Sequence, residues 1–469
     1  MIENVLASRY ASPEMIEVWD PASKVRLERE LWVTVMEIQR DLGLSIPDGA
    51  IDAYRRIVDQ VDLSSISERE RKLRHDVKAR LEEFNALAGF ETAHLGMTSR
   101  DLTENVEQLQ VKRSLELLLV RAVAALLAMA RLATEYATLA VTGRTHNVPA
   151  QVTTVGKRVA TAGEELALAV ERTEKLVAGL PLRGIKGPVG TQQDQAELLG
   201  SGAAAVELDR RVAERLGFGS ISNSVGQVYP RSLDLDVVSA LVQLAAGPTS
   251  FTTTLRLMAG HDLATEGFGA DQVGSSAMPH KMNARTSERI HGLKVILSGH
   301  LTMATALAGE QWNEGDVSCS VVRRVMLPDA FFATDGLFQA FLTVLDEVGF
   351  FPEVIGAELA AHLPFLATTR LLVEAVRQGM GREEAHDVIR RHSVAAAAER
   401  RQGTEPDLLE RLAADSSFPL DRASIDRILS EPLRFAGRAA DQVAAFVERV
   451  ETIAGRHLSA VEYRPAPIL

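Results

Sequence analysis

Residues 274–289 read GSSAMPHKMNARTSER and carry an unusual density of chemically active side chains. Two serines, an imidazole, an ammonium and a carboxamide fall within 274–283 of a chain otherwise rich in Ala, Leu and Val. The leading Gly-Ser-Ser disfavours regular structure. Two interpretations follow from these residue types. The stretch is either a polar surface loop that caps the next helix, or a mobile catalytic loop whose donors converge on an anion.

Two other polar clusters lie earlier in the chain. One is RHD at 74–76, followed by the stretch 94–101, and the other is the stretch 142–147. Each cluster taken alone has a structural explanation, as a helix cap or a hydrogen-bonded histidine. The sequence shows no His/Asp/Glu grouping with metal-ligand spacing, no Gly-rich phosphate loop after a strand and no nucleophile elbow. The pattern therefore predicts metal-free acid–base chemistry that needs no cofactor.

Composition excludes several classes of function. The chain has 469 residues, a net charge of −12 and no Lys/Arg-rich run, which argues against binding to nucleic acid or to an anionic membrane. Its single cysteine, Cys319, excludes an intrachain disulfide framework and favours a cytoplasmic location. The uncharged stretch 237–255 is long enough to raise the question of a membrane span. Its Ser, Gln, Thr and Gly-Pro residues instead favour a buried helix that is bent or broken near Gly247.

The arrangement of apolar residues predicts an all-α protein. Ala, Leu, Arg and Glu abound, only 5% of residues are aromatic, and alternating apolar and polar runs are scarce. Two of the long central segments are apolar around most of their circumference, so we expect one helical bundle to pack on another. Shorter, charged helices on either side predict three domains, at 1–100, 101–355 and 356–469. The five long segments are expected at 101–141, 150–179, 231–263, 287–312 and 320–349.

Four separated motifs now support a resemblance to a known family. GSSAMPHKMN resembles the signature loop of the fumarase/aspartase superfamily, placed here at 267–289, whose members eliminate fumarate from a succinyl compound. RHD at 74–76, HLGMTSRD at 94–101 and GRTHNVPAQ at 143–151 resemble the branch that acts on adenylosuccinate. The resemblance implies a three-domain all-α fold in which central five-helix bundles join into a homotetramer with a twenty-helix core. It also implies active sites shared between subunits.

The same resemblance implies a reaction and a set of catalytic residues. Fumarate would leave adenylosuccinate to give AMP, and it would leave the succinylated aminoimidazole carboxamide ribotide of purine biosynthesis in the same way. The implied base is Ser275 and the implied general acid is His146. Lys281 would stabilise the developing negative charge, Glu288 would pair with the histidine, and His75 would assist near the substrate.

The implied substrate-binding residues come from every polar cluster and from both ends of the chain. They are Arg9, Tyr10, Arg74, His75, Asp76, His94, Thr98, Ser99, Gln227, Arg231, Ser276, Lys281, Asn283, Ser320 and Arg324.

Two departures from the family pattern and three alternatives stay open. Gly315 stands where many relatives carry a substrate-contacting arginine, and Arg323 is a candidate to compensate for that loss. Ala284 follows Asn283 where a proline is usual. The alternatives are an argininosuccinate lyase, a carboxymuconate cycloisomerase, or a structural helical-bundle protein without activity. Retention of the implied base, acid and charged loop residues argues against the last of these.

Overall fold

The computed structural model describes residues 3–267, 278 and 280–466. Helices account for 68% of the residues and strands for 4%, so the predicted all-α class is confirmed. The chain begins with short helices whose N-terminal ends are marked by capping residues in the sequence. Ser12 and Asp20 each precede a proline at the first helical position, and each side chain accepts hydrogen bonds from the first-turn amides. These helices are α1 (Val5–Arg9), α2 (Pro13–Trp19), α3 (Pro21–Asp41), α4 (Ala50–Arg56), α5 (Leu63–Leu73) and α6 (Asp76–Ala88).

Long helices form the centre of the molecule, close to where the sequence predicts them. Most of α7 is buried, and it packs along both α8 and α14. The lone cysteine, Cys319, lies in the first turn of α14 and is fully buried. The central helices are α7 (Ser99–Glu135), α8 (Val155–Gly179), α9 (Gln193–Leu198), α10 (Gly202–Arg215), α11 (Ser232–Leu244), α12 (Ala246–Ala259), α13 (Arg285–Leu307) and α14 (Ser318–Glu347).

The uncharged stretch 237–255 forms two buried helices rather than one. Helix α11 ends at Leu244 and α12 begins at Ala246, so the break lies just before Gly247, as predicted. Within the described residues, one helix, α7, is long and apolar enough to span a membrane. The surrounding helices bury 72% of its apolar window, so packing accounts for its apolar character. The bent pair Pro352–Leu366 and Thr368–Arg377 would meet the same criterion only if taken together.

A β-hairpin between α7 and α8 corrects the predicted helix boundaries. The sequence predicts one helix that ends at 141 and another that begins at 150. The structure instead has two strands there, β1 (Ala140–Thr145) and β2 (Val148–Thr154). The two strands pair antiparallel, with Thr145 opposite Val148 and a register shift between Thr142 and Arg144. Two short strands, β3 (Ala264–Thr265) and β4 (Gly349–Phe350), form a second pair beyond the end of α14.

The C-terminal part of the chain has two packing arrangements. Residues between Leu371 and Ile425 form a small core of their own. Helix α20 instead returns to the centre and packs against α7 and α8. The helices are α15 (Pro352–Leu366), α16 (Thr368–Arg377), α17 (Arg382–Arg400), α18 (Leu408–Ala414), α19 (Arg422–Leu429), a 3₁₀ turn (Pro432–Ala436), α20 (Ala439–Ala454) and α21 (Ser459–Glu462).

One face of α13 is apolar and is left uncovered by the described part of the chain. Val295 is 67% exposed, and Ile296 and Met303 are about as exposed as polar surface residues. Gly292 and Gly299 lie at the neighbouring helical positions, and open space surrounds each of them. Small residues beside exposed apolar ones are typical of a face on which another helix packs closely.

Candidate functional site

The predicted site residues fall at two opposite ends of the central helices. Helices α7 and α14 run in the same direction, with Arg121 and Asp335 forming a buried ion pair between them. Beyond their C-terminal ends the Tyr136 and Phe350 rings pack with centroids 4.9 Å apart. A helix of 37 residues, the length of α7, spans about 55 Å at 1.5 Å per residue. Residues at its two ends therefore cannot meet within one chain.

At the N-terminal end of α7, three elements bring polar side chains together. We call this group the start cluster. The imidazole of His75, which caps α6, lies 3.5 Å from the Ser99 hydroxyl at the start of α7. Arg324, in α14, is exposed and lies 3.4 Å from the Asp76 carboxylate. Burial acts to raise the pKa of Asp76, but the guanidinium groups of Arg80 and Arg324 hold it below its ordinary value. The start cluster comprises Arg74, His75, Asp76, Thr98, Ser99, Gln227, Ser320 and Arg324.

A buried ion network lies beneath the start cluster and corrects one expectation. The guanidinium of Arg323 donates to Asp234 at 2.8 Å and to Glu107 at 2.6 Å, and it also contacts the Tyr229 hydroxyl. Its side chain is only 2% exposed. The idea that Arg323 compensates for the missing arginine at the surface is therefore wrong, because each of its three guanidinium nitrogens donates to a partner inside the bundle.

Arg231 belongs to the same buried network. Its side chain has no exposed surface, and Nη2 donates to Glu104 at 2.7 Å. Glu104 also accepts from Arg100 at 3.3 Å. The sequence resemblance assigns Arg231 to the substrate, but in this chain it lies behind the start cluster and holds its supporting helices together. Sequence alone does not distinguish such an arginine from a surface one.

The backbone at Gly315 explains why no side chain replaces the arginine of relatives there. Gly315 has a φ of +103°, a region that L residues rarely adopt. The neighbouring segment packs against it closely, since the Gln227 amide donates to the Glu314 carbonyl at 2.6 Å. A Cβ at Gly315 would also lie 3.1 Å from Val228. Gly315 therefore differs from the family pattern in its backbone conformation as well as in its residue type.

His94 lies at the edge of the start cluster in a fixed protonation state. The Trp32 indole N–H donates to its Nδ1 at 2.9 Å, which leaves Nε2 as the N–H of the neutral ring. Burial lowers the pKa of His94 to about 4, with the nearby charges of His75 and Lys78 acting in the same direction. His94 also has a positive φ of 74°. It therefore offers a neutral hydrogen-bond donor near neutral pH.

Tyr10 lies midway along the bundle, away from the start cluster. It packs on Gly336, where a Cβ would come within 2.6 Å of the Tyr10 side chain. Gly336 is twelve residues beyond Arg324 on α14, a separation of about 18 Å. The Arg289 guanidinium lies over the Tyr10 ring at 5.9 Å. Arg289 is not among the residues that the resemblance implies, although it ends the signature stretch at one helical turn beyond Arg285. Arg9, next to Tyr10, is exposed.

The opposite end, which we call the hairpin end, carries the remaining loop residues. Lys281, Asn283 and Glu288 line a cavity of about 700 Å³, and Phe351 beyond α14 forms another part of its wall. The buried Glu266 carboxylate accepts from the Thr286 and Ser287 amides and so fixes the start of α13. Ser275 and Ser276 lie outside the described residues.

His146 projects from the tip of the hairpin at this same end. His146 and Asn147 form the two-residue turn between β1 and β2, with φ values of 53° and 60°. Positive φ at both central positions is the geometry of a type I′ turn. His146 is exposed, and within the described residues it forms no ion pair with Glu288, whose partner is Arg256 at 3.6 Å. Across residues 3–267, 278 and 280–466, no three His, Cys, Asp or Glu side chains gather as a metal site would require.

The two ends are suited to different tasks. The start cluster joins arginine donors to hydroxyl groups and backbone turns, a combination that binds phosphate and ribose groups well. The hairpin end presents a histidine that can transfer protons near neutral pH and a lysine that can neutralise a carboxylate. Together they could bind a phosphorylated substrate and move a proton, provided that the two ends come from different chains.

Comparison with protein families first defines a class. The chain matches the family model described as "Lyase" over residues 39–297, more than half its length, and the model described as "Adenylosuccinate lyase C-terminus" over residues 364–446. It is 35% identical to adenylosuccinate lyase of Saccharomyces cerevisiae, covering 95% of this chain and 93% of that protein. It is 34% identical to adenylosuccinate lyase of Schistosoma mansoni, covering 95% and 94%. The chain belongs to the adenylosuccinate lyase family.

Solved structures agree on the fold. The 3-carboxy-cis,cis-muconate lactonizing enzyme of Pseudomonas putida superposes with a TM-score of 0.82 at 19% identity, covering 96% of this chain and 99% of that one. A fumarate lyase from Mesorhizobium superposes with a TM-score of 0.80 at 19% identity, covering 94% and 98%. At such low identity the likeness concerns the fold alone.

Proposed function

We propose that this protein is an adenylosuccinate lyase of purine nucleotide biosynthesis. It eliminates fumarate from adenylosuccinate to leave AMP, and from the succinylated aminoimidazole carboxamide ribotide to leave the corresponding amide. The observation that carries the proposal is the 35% identity to a yeast adenylosuccinate lyase along 95% of the chain. The start cluster supports a nucleotide substrate, because its exposed Arg324 and its hydroxyl groups suit a phosphate better than a small amino acid.

The proposed mechanism divides the proton transfers between the two predicted residues. Ser275 removes the proton beta to the succinylated nitrogen, and Lys281 and Asn283 bind the succinyl carboxylates, on which negative charge then develops. His146 donates a proton to the leaving nitrogen as the C–N bond breaks. Glu288 orients that histidine from another chain, since within one chain it pairs with Arg256. No cofactor is needed, because acid, base and charge stabilisation are all supplied by side chains.

We further propose that the active protein is a homotetramer with shared sites. Three facts support this proposal: the roughly 55 Å length of α7, the apolar face of α13 and the exposed position of His146. In a symmetric assembly whose central bundles pack antiparallel, the hairpin end of one chain meets the start cluster of another. We propose that each site draws His146, the loop at 267–289 and the start cluster from three different chains. The cytoplasm is the proposed compartment, in keeping with a single buried cysteine.

The reaction is tested by following fumarate release by absorbance. Adenylosuccinate should be cleaved, whereas argininosuccinate should not, and 3-carboxymuconate should not be lactonised. No fumarate from adenylosuccinate would overturn the proposal. Activity on the muconate alone would assign the chain to the chemistry of its structural neighbour.

The shared site is tested by mixing two inactive variants. His146→Gln and Ser275→Ala subunits are allowed to exchange after mild dissociation. Roughly a quarter of the sites in the random hybrids should regain both residues, because two independent half-chances multiply in a closed oligomer. Each parent treated alone is the control and should stay inactive. An inactive mixture, with subunit exchange proven by mass spectrometry, would overturn the proposal that His146 and Ser275 of one site come from different chains.

A further inference from the structure

We infer that Arg144 and Glu358 are positioning residues for His146, which hold the hairpin tip on helix α15. This inference rests on the proposed role of His146 as general acid. It extends the site into the C-terminal part of the chain, where no substrate-contacting residue is predicted.

A β-bulge lies opposite the residue before Arg144. The strand register shifts between Thr142 and Arg144, because Ala150 and Gln151 on β2 oppose the single residue Gly143 on β1. A Cβ at Gly143 would lie 2.5 Å from the Gln151 carbonyl oxygen on β2. A bulge of this kind bends its strand and increases the local twist of the hairpin. Any larger residue at 143 would push the strands apart.

Arg144 bridges the hairpin turn and helix α15. Arg144 Nη2 donates to Glu358 Oε1 on α15 at 2.6 Å, while Nη1 donates to the Asn147 carbonyl oxygen at 3.3 Å. Both side chains are largely buried, 21% and 16% exposed. Asn147 is the residue directly after His146. One guanidinium therefore fixes the backbone of the turn that presents the imidazole.

The turn needs such a bond because its backbone is strained. Neither His146 nor Asn147 is a glycine, yet both adopt positive φ, at a cost of order 1 kcal/mol or more each. Strained residues stay in one conformation only where their surroundings hold them. The strand ladder ends at Thr145 and Val148, so the Arg144 bond to the Asn147 carbonyl is the described side-chain contact that holds the tip itself.

Glu358 is in turn held from its other side. His362 Nε2 lies 3.7 Å from the same carboxylate oxygen, and Arg400 on α17 lies 3.2 Å from His362 Nδ1. The base of the hairpin is secured separately, because Val152 packs on Leu359 and Leu363. Removing the ion pair should therefore loosen the tip without unfolding the hairpin.

The test compares Arg144→Ala, Glu358→Gln and their double variant in the intact enzyme. The kcat should fall between about ten- and a hundredfold in each single variant, since small misplacements of a catalytic group have effects of that size. The KM should change less than about twofold, and the double variant should be no worse than the poorer single variant. Arg144→Lys, which keeps the charge, should recover part of the kcat.

A control variant separates positioning from general loss of structure. Arg411→Ala removes a C-terminal arginine that pairs with Glu399 and is 28% exposed, against 21% for Arg144, and it should leave kcat unchanged. An undiminished kcat in Arg144→Ala, or an equal loss of kcat in Arg411→Ala, would overturn the inference. If the unmodified enzyme releases no fumarate, it is the proposed function that fails.

Discussion

The two ends of the central helices differ in how completely one chain builds them. At the start cluster, ion pairs and hydrogen bonds tie α6, α7 and α14 together, and a buried network supports them from beneath. At the hairpin end, His146 stands exposed on a two-residue turn, and Lys281 and Glu288 line an open cavity. The first end is organised before any partner arrives. The second presents an exposed imidazole and an open cavity with charged walls.

This difference indicates how substrate binding and proton transfer are divided between the two ends. A preformed, charged region binds substrate with little reorganisation. A proton-transferring group is useful only where water is excluded and the substrate is bound, so we expect the proposed role of His146 to make activity depend on assembly. Four variants test this difference between the two ends.

The largest effect should come from a charge placed on the apolar face of α13. Val295→Asp should prevent close packing by a second chain, because an unpaired carboxylate cannot be buried there without a large penalty. Activity should fall by more than about a hundredfold while helical content is kept, and light scattering should show smaller particles.

Val394→Asp is the matched control for that variant. Val394 is 63% exposed on α17, close to the 67% of Val295, and its substitution should change neither size nor activity. A fully assembled Val295→Asp enzyme would show that α13 is not the packing face.

The next effect concerns the buried network under the start cluster. Arg323→Ala should lower the free energy of unfolding by about 3 kcal/mol, because it removes the guanidinium that Asp234 and Glu107 share and leaves them only Arg231 and Lys24 as partners. Denaturant titration measures the loss. The neighbouring Arg324→Ala should cost less than about 1 kcal/mol, since its side chain is 67% exposed. Equal losses would mean that burial does not separate the two arginines.

His94 predicts a pH dependence of stability. Its folded-state pKa of about 4 lies below the ordinary value of 6.5, so its contribution is complete above pH 6.5 and is lost as the pH falls toward 4. Chemical denaturation of wild type and His94→Gln should therefore show unfolding free energies that converge by about 2–3 kcal/mol between pH 7 and pH 4. A constant difference between the two proteins over that range would contradict the buried, neutral ring.

The smallest effect should be seen in product binding. Arg324→Ala should weaken AMP binding by about tenfold, the scale of one charge-assisted hydrogen bond, and should leave fumarate binding unchanged. Calorimetric titration of both products measures this. Arg71→Ala, which removes an exposed arginine from the last turn of α5, controls for the change in surface charge. Equal weakening of AMP and fumarate binding would move Arg324 out of the phosphate region.

The sequence predicts the fold better than it predicts the orientation of individual side chains. The long helices follow from residue composition and local capping, and these signals survive in the structure. The hairpin does not follow from them, because its strands contain Gly143 and Pro149 and its His-Asn turn lacks the usual glycine. Long-range packing of Val152 on α15 stabilises it instead.

Arg323 and Arg324 show the same limit at the level of single residues. The two are adjacent and identical in type, yet one helical step of 100° turns the first toward Asp234 and the second toward solvent. Only the position of α11 decides which of them is buried. The assignment of Ser275 depends on family resemblance alone, since it lies outside the described residues.

Because Cys319 is buried, the reactivity of its thiol reports local opening of the protein. The thiol lies one helical turn before Arg323, and it is the only one in the chain. A thiol without solvent access does not react with a maleimide, so the rate of alkylation measures how often the first turn of α14 comes away from the bundle. Bound nucleotide that stabilises the start cluster would slow that reaction. Ligand binding could then be followed through the native cysteine, without introducing a reporter residue.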